Sequence, residues 1–174
     1  MKTYYIDLPF TQEQLAEVRS GDLLYLSGDI YTARDAAHVR LHKSLKNGKC
    51  DLDLQDQVIY YVGPTPAFDD HIIGSCGPTT SSRMDRYTPD LMDAGLVATI
   101  GKGDRDQAII DSCVRNHGLY LVATGGVGAL LSSQISEYAE IMYQDLGPES
   151  LKRLKLSNFA VYVAYDTLGN DIFA

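Results

Sequence analysis

Short apolar runs recur along the chain and are separated by polar stretches rich in Gly, Pro, Asp and Ser. The runs at residues 4–8, 23–26, 58–62, 97–100, 119–123, 141–143 and 160–165 have the length of β-strands. Residues 11–18, 32–46, 89–95 and 104–117 predict helices, and short helices are expected after residues 128 and 148. Strands that alternate with helices indicate an α/β fold with a mixed sheet. The length predicts one domain over residues 1–174.

Turn and cap residues mark the ends of the predicted elements. Thr11 followed by Gln14 is a capping box that opens the first helix. Ser-Gly-Asp at residues 27–29 predicts a turn that ends the second strand. Residues 64–86 show neither a helical nor a strand period. Irregular stretches of this length in compact domains are more often functional than idle, so we expect chemistry there.

Composition excludes several classes of protein. The 174 residues carry 15 Lys and Arg against 23 Asp and Glu, a formal net charge of −8. This balance argues against a nucleic-acid partner, which requires clustered cations. No apolar run approaches the roughly 18 residues of a membrane span. The first ten residues lack the apolar core of a signal peptide, so we expect a cytoplasmic protein.

The three cysteines, Cys50, Cys76 and Cys113, are far apart in the sequence. They form neither a CxxC pair nor a Cys/His ligand spacing, so a self-contained zinc or iron–sulfur site is not expected. Free thiols without a disulfide framework fit a reducing compartment. Cys76 is interpreted as a small buried residue of its loop, not as a nucleophile.

The irregular stretch contains one segment with clear chemistry, residues 74–85, which read GSCGPTTSSRMD. Hydroxyl groups and free backbone N–H groups ahead of a helix are suited to hold an anion. Arg83 adds a rigid fork that binds a carboxylate through two hydrogen bonds. The alternative is a Ser/Thr-rich turn that only caps the next helix. Composition alone leaves these two readings open.

Within that segment, GPTTSSRMD at residues 77–85 resembles the signature of the β subunit or C-terminal domain of class I fumarases and tartrate dehydratases. Further blocks agree in the same order: SGDIYTARDAAHVR (27–40), YYVGPTP (60–66), IGKGDR (100–105), TGGVGAL (124–130) and YDTLGNDIF (165–173). Each block is weak evidence by itself, but the ordered set is specific. The resemblance implies the swivelling β/β/α architecture of the fumarase C-terminal domain.

The resemblance also implies the site residues. Arg34, Thr79, Thr80, Arg83 and Lys102 match positions that bind the substrate, and Thr79, Thr80 and Lys102 match catalytic positions. The base that removes a proton from carbon 3 falls on Thr79, although a threonine hydroxyl needs a neighbouring base to act near neutral pH. The three cations would reverse the sign of charge locally in an acidic protein. Ser82 stands where the signature usually carries a small residue such as glycine.

The resemblance further implies a hydro-lyase that acts on malate/fumarate or on tartrate/oxaloacetate. Its [4Fe–4S] cluster would sit on a partner α subunit, and this chain would bind neither a metal nor a cofactor. A homodimer of the isolated chain, or a complex of two α and two β subunits, is expected. The alternative function is a non-catalytic module that binds a dicarboxylate without a partner.

Two other motifs have residues that could bind a cofactor or a metal. The glycines at residues 125–128 follow a strand but lack GxGxxG spacing, so close strand-to-helix packing is the preferred interpretation over a dinucleotide loop. His38 and His42 are four residues apart on a predicted helix, a spacing that can bind metal. No third ligand accompanies them, so solvated or partner-facing histidines are preferred.

Overall fold

The computed structural model describes residues 1–67, 69–123 and 128–174 as a seven-stranded mixed sheet with helices against it. The strands are β1 (Thr3–Asp7), β2 (Leu23–Thr32), β3 (Val58–Tyr60), β4 (Ala98–Gly101), β5 (Leu119–Val122), β6 (Ile135–Met142) and β7 (Leu151–Tyr165). The helices are α1 (Gln12–Glu17), α2 (Asp35–Lys46), α3 (Thr88–Asp93), α4 (Gln107–Asn116) and α5 (Gly128–Ser132). Two 3₁₀ turns span Ser81–Met84 and Gln144–Glu149.

The sheet closes on itself through its longest strand. Strands β2, β3, β4 and β5 pair in parallel, in that order. Strand β7, which is 15 residues long, pairs antiparallel with β2 along one of its edges. On its other edge, the C-terminal end of β7 pairs antiparallel with β5. Strand β1 lies beside the first half of β2, and β6 lies beside the first half of β7. Because parallel strands end at one edge, the loops that follow β2, β3 and β4 meet there.

Apolar side chains form two layers. One cluster fills the inside of the closed sheet, with Leu26, Tyr60, Ile100, Leu121 and Phe159 among its buried members. The second lies between the outer face of the parallel strands and helices α2, α3 and α4. Two sheet walls and one helical layer give the β/β/α arrangement that the family resemblance implied, and the mixed α/β fold predicted from the alternation of elements is confirmed.

Strand β2 is longer than predicted because Gly28 does not end it. The strand continues through residues 27–29 to Thr32, and its register against β7 shifts between Leu26 and Gly28. Gly28 has φ +118°, and a Cβ there would lie 3.1 Å from Leu8 Cβ. A residue with positive φ and no side chain suits a bulge as well as a turn, so composition could not distinguish them.

The last third of the chain shows the largest differences from prediction. Strand β6 begins at Ile135 and β7 at Leu151, well ahead of the predicted starts at 141 and 160. The helix predicted after Pro148 is wrong, since the Gln144–Glu149 turn contains that proline and β7 follows at once. The capping box of α1 is confirmed: Gln14 N donates to Thr11 Oγ1 at 3.2 Å, and Thr11 N donates to Gln14 Oε1 at 2.9 Å. Among the described residues, no helix is long and apolar enough to cross a membrane.

Candidate functional site

Arg34 is the N-cap of α2, directly after the edge at which β2 ends. Its side chain is 29% exposed, and its buried Nε atom has no hydrogen-bond partner within residues 1–67, 69–123 and 128–174. Glu149 Oε1 lies 3.9 Å from that Nε, and Asp35 Oδ2 lies 4.0 Å from it. Gly63 lies against the guanidinium so closely that a Cβ there would be 2.9 Å from Arg34 Cδ and Nη1. The absence of a side chain at residue 63 therefore makes room for the arginine.

Backbone pairing joins the loop of residues 77–85 to the loop after β4. Thr80 and Lys102 form a parallel β-bridge. Ser81 N donates to Lys102 O at 3.0 Å, and Lys102 N donates to Ser81 Oγ at 3.0 Å. Thr79 N donates to Tyr61 O at 2.7 Å. These bonds place Thr79, Thr80 and Lys102 beside each other, with the side chains of Thr80 and Lys102 exposed.

The hydroxyl group of the buried Tyr120 stabilises this pairing of the two loops. Tyr120 donates its hydroxyl hydrogen to Gly103 O at 2.7 Å, and its oxygen lies 2.9 Å from Ser81 Oγ. Burial raises the pKa of Tyr120, so the phenol stays protonated and able to donate. Gly101 leaves space for the Ser81 hydroxyl, which a side chain at residue 101 would displace.

Arg83, in the Ser81–Met84 turn, is bound to Asp35 at the first position of α2. Arg83 Nε donates to Asp35 Oδ1 at 3.0 Å, and Nη2 donates to Oδ2. The hydrogen bond from Arg83 lowers the pKa of Asp35, which therefore stays ionised near neutral pH. This pair connects the loop of residues 77–85 to the helix that carries Arg34.

The five predicted site residues thus fall into two groups on one edge of the sheet. Arg34 and Arg83 both lie beside Asp35, and Thr79 and Thr80 lie with Lys102. The expected reversal of charge is not seen at the arginines, because Asp35 and Glu149 lie against them. Lys102 makes no ion pair with the described residues. Sequence reasoning missed Asp35 and Glu149; the position next to Arg34 was the only signal for the first, and no motif marked the second.

Arg105 and Asp85 form a buried ion pair under the site, which sequence reasoning also missed. Arg105 Nε donates to Asp85 Oδ1 at 2.7 Å, while Nη1 and Nη2 donate to Thr99 Oγ1 and Thr88 Oγ1 at 3.1 and 2.8 Å. The Arg105 side chain is 0% exposed. Arg105 is the last residue of the block IGKGDR, and Asp85 is the last residue of the block GPTTSSRMD. Their shared position at the end of a block was the sequence signal that could have pointed to this pair.

The two helical histidines contact different partners. His38 is fully buried, and its Nδ1 lies 2.8 Å from Arg34 O. Burial lowers the pKa of His38 to about 4, so the ring is neutral and Nδ1–H donates to that carbonyl. His42 Nε2 instead lies 2.7 Å from Asp90 Oδ2. Both rings therefore have structural partners, and His38 fixes the backbone of Arg34.

The described residues do not fit an iron–sulfur cluster. Cys76 and Cys113 are buried, and burial raises the pKa of each thiol to about 12. Cys50 is half-buried and distant from both in the sequence. Across residues 1–67, 69–123 and 128–174, no three His, Cys, Asp or Glu side chains are grouped to hold a metal ion.

Two further blocks of the family resemblance, TGGVGAL and YDTLGNDIF, contain none of the predicted site residues. In TGGVGAL, residues 124–127 lie outside the described residues, so the dinucleotide-loop alternative stays untested; Gly128 O accepts from Cys76 N at 3.1 Å. In YDTLGNDIF, the fully buried Asp166 accepts hydrogen bonds from Ser20 N and Leu168 N at 3.0 and 2.9 Å. Burial alone would raise the pKa of Asp166, but bonds from Asn170 and Ser20 leave it lowered. This block therefore holds a turn together.

Comparison with known proteins agrees with the fold and with the ordered blocks. The family model described as "Fumarase C-terminus" matches residues 2–174. The chain is 35% identical over 170 residues to the putative L(+)-tartrate dehydratase subunit beta of Methanocaldococcus jannaschii, covering 94% of this chain and 87% of that protein.

Larger proteins match over part of their length. Identity to the aerobic class I fumarate hydratase of Escherichia coli strain K12 is 34% over 163 residues, covering 92% of this chain and 30% of that protein. Fumarate hydratase 2 of Leishmania major is 31% identical over 167 residues, covering 94% of this chain and 29% of that protein. The chain thus spans about a third of the fumarate hydratases it matches. With the family model matched from residue 2 to residue 174, the chain belongs to the fumarase C-terminal family.

Proposed function

We propose that this chain is the β subunit of an iron–sulfur-dependent hydro-lyase that reversibly dehydrates a 2-hydroxy dicarboxylate. The reaction would convert malate to fumarate, or tartrate to oxaloacetate. The observation that carries the proposal is the placement of Arg34 and Arg83 beside the same residue, Asp35, next to the Thr80–Lys102 bridge. Two cationic forks at one edge of a sheet suit the two carboxylates of such a substrate.

The three cations have distinct proposed tasks. Arg34 and Arg83 each bind a substrate carboxylate, and Lys102 contributes a third positive charge close to the threonines. Elimination of water builds negative charge toward an aci-carboxylate, which fixed cations stabilise most in a site from which water is excluded. Removing one such group typically costs about 10²- to 10³-fold in rate.

Thr79 and Thr80 supply hydroxyl groups next to Lys102. We propose that Thr79 relays the proton taken from carbon 3, or positions the substrate for that transfer, and that Thr80 binds the substrate beside it. A threonine hydroxyl is a weak base, so Thr79 requires a proton acceptor in contact with it. We assign that acceptor to a carboxylate of the partner subunit.

The cluster is assigned to a partner α subunit, because among the described residues no three His, Cys, Asp or Glu side chains are grouped to hold a metal. The name of the M. jannaschii relative, a subunit beta that this chain covers over 87% of its length, supports the division into two subunits. A complex of two α and two β subunits, or a homodimer of the isolated chain, is the proposed assembly.

Anaerobic hydratase assays test the proposal. Fumarate and tartrate are offered to this chain alone and to the chain co-expressed with a candidate α subunit and reconstituted with iron and sulfide. Activity in the mixture only is the expected result, and the preferred substrate names the reaction. Turnover by the chain alone would contradict the proposal that catalysis requires a cluster on a separate α subunit. An inactive mixture, with dicarboxylate binding to this chain alone by calorimetry, would favour the non-catalytic binding module.

A further inference from the structure

Asp35 binds the guanidinium of Arg83 along one edge, through Nε and Nη2. We propose that Asp35 is a positioning residue, which holds Arg83 in the orientation that receives a substrate carboxylate. This inference rests on the proposed function of Arg83 and assigns to Asp35 a task that the motif itself does not indicate.

The pairing leaves the outer part of the guanidinium available. Arginine has five N–H donors, and Asp35 uses the one on Nε and one on Nη2. Both donors of Nη1 and the second donor of Nη2 make no hydrogen bond with the described residues. The hydrogen bond to Asp35 raises the pKa of Arg83, and the charge of Glu149 adds to that shift. The Arg83 side chain is 48% exposed, so an incoming carboxylate can bind this edge without displacing Asp35. Two carboxylates can thus share one arginine on different edges.

The place of Asp35 on a helix gives it the rigidity that positioning requires. Asp35 is the first residue of α2 and follows Arg34 directly, so one peptide unit fixes both groups. Asp35 occupies the N1 position of α2, which places its negative charge at the positive end of the helix dipole. Because Arg83 comes from a short 3₁₀ turn, its long side chain would otherwise sample many rotamers. Asp35 therefore fixes the separation between the two proposed carboxylate-binding arginines.

Arg34 is held in a different way from Arg83. Ala36 N lies 3.4 Å from Glu149 Oε1, and that same oxygen lies 3.9 Å from Arg34 Nε. Arg34 is confined mainly by Gly63 and by burial, whereas Arg83 is exposed and depends on its ion pair. An exposed pair adds little to stability, so loss of the Asp35 carboxylate should change substrate binding more than folding.

A double-mutant cycle in the complex with the α subunit tests the inference. Asp35→Ala is expected to raise KM for the dicarboxylate about tenfold with a smaller change in kcat, because the binding group loses its orientation. In an Arg83→Ala background the same change should have almost no further effect. Asp35→Glu, which keeps the charge, should recover part of the loss. Asp145→Ala removes a comparable two-bond pair with Arg40 and should leave KM unchanged.

Two kinetic outcomes would overturn the inference. A lower KM in Asp35→Ala would mean that Asp35 competes with the substrate for Arg83. An equal effect of Asp35→Ala with and without Arg83 would mean that the aspartate acts elsewhere.

An NMR measurement on the isolated chain separates this inference from the proposed function. The Arg83 Nε–H signal should be protected from exchange in the wild type and lose that protection in Asp35→Ala. Equal exchange in both proteins would overturn the inference even if the complex is active. A protected signal in the isolated chain that is lost in Asp35→Ala, together with a complex that lacks hydratase activity, would instead place the failure with the proposed function.

Discussion

Arg105 and Asp85 form an ion pair with 0% and 7% of their side chains exposed, directly under the candidate site. The guanidinium also lies over the rings of Tyr61 and Tyr120, 5.2 and 4.9 Å from their centroids. Asp85 Oδ2 accepts a further bond from Asp106 N at 2.9 Å. The pair thus ties the end of the loop of residues 77–85 to the segment that follows Lys102, so the site loops share one buried anchor.

Removal of one partner from this pair should destabilise the protein strongly. Arg105→Met leaves Asp85 buried without its cation, which typically costs about 3–5 kcal/mol. The free energy of unfolding from urea titrations measures the loss. Arg115→Met is the matched control, because its pair with Asp93 is about half exposed and should contribute less than about 1 kcal/mol. Equal losses in the two variants would contradict the role of burial.

Stability should fall on mild acidification because of His38. The folded protein holds the ring neutral down to about pH 4, whereas the unfolded chain takes up the proton near its ordinary pKa of 6.5. The unfolded state therefore binds more protons between these values, so this contribution is complete above pH 6.5 and decreases toward pH 4. The loss is on the order of 3 kcal/mol.

Urea titrations across that pH range measure this effect. His38→Asn keeps a donor near the Arg34 carbonyl but does not titrate, so its stability should change much less over the same range. His117→Asn is the control, because that side chain is exposed and its left-handed backbone suits asparagine. The same pH slope in wild type and His38→Asn would show that the buried ring is not its source.

A methyl group at residue 63 should disturb Arg34. In Gly63→Ala, the Cβ would lie 2.9 Å from Arg34 Cδ and Nη1, so the side chain must move. We expect KM of the reconstituted enzyme to rise about tenfold with the fold preserved, since small displacements of a binding group are costly. In Gly77→Ala, the described residue nearest to the added methyl is Gly128, with its Cα at 3.9 Å, and a smaller effect is expected. Equal KM values in the two variants would argue against close packing on Arg34.

The elements with strong local signals were predictable from sequence, and those set by distant pairing were not. Thr11 and Gln14 fixed the start of α1 because a capping box is a local interaction. The first half of β7 was hidden because Lys152 faces inward. Its ammonium donates to Ser150 Oγ at 2.6 Å and to Pro148 O at 3.2 Å, and it is 6% exposed. A buried lysine breaks the apolar alternation that identifies a strand.

The same distinction holds at the site. The loop chemistry of residues 77–85 could be read directly, because four hydroxyl residues and an arginine follow a Gly-Pro turn. The partners of Arg83 and Arg105 could not, because Asp35 and Asp85 are 48 and 20 residues away from them in the sequence. Such pairs depend on which loops the sheet brings to the same edge, and the closure of the sheet by β7 was itself not predicted.

The central claim is that Arg83 of this chain binds a substrate carboxylate in a site completed by an α subunit. The kinetics of Arg83→Ala test this claim most directly. The variant is assembled with the α subunit and reconstituted anaerobically, and cluster content and complex formation are measured alongside turnover. We predict that kcat/KM for the preferred dicarboxylate falls about 10²- to 10³-fold while the cluster and the complex remain intact. Unchanged kcat/KM in a fully assembled Arg83→Ala enzyme would contradict the claim.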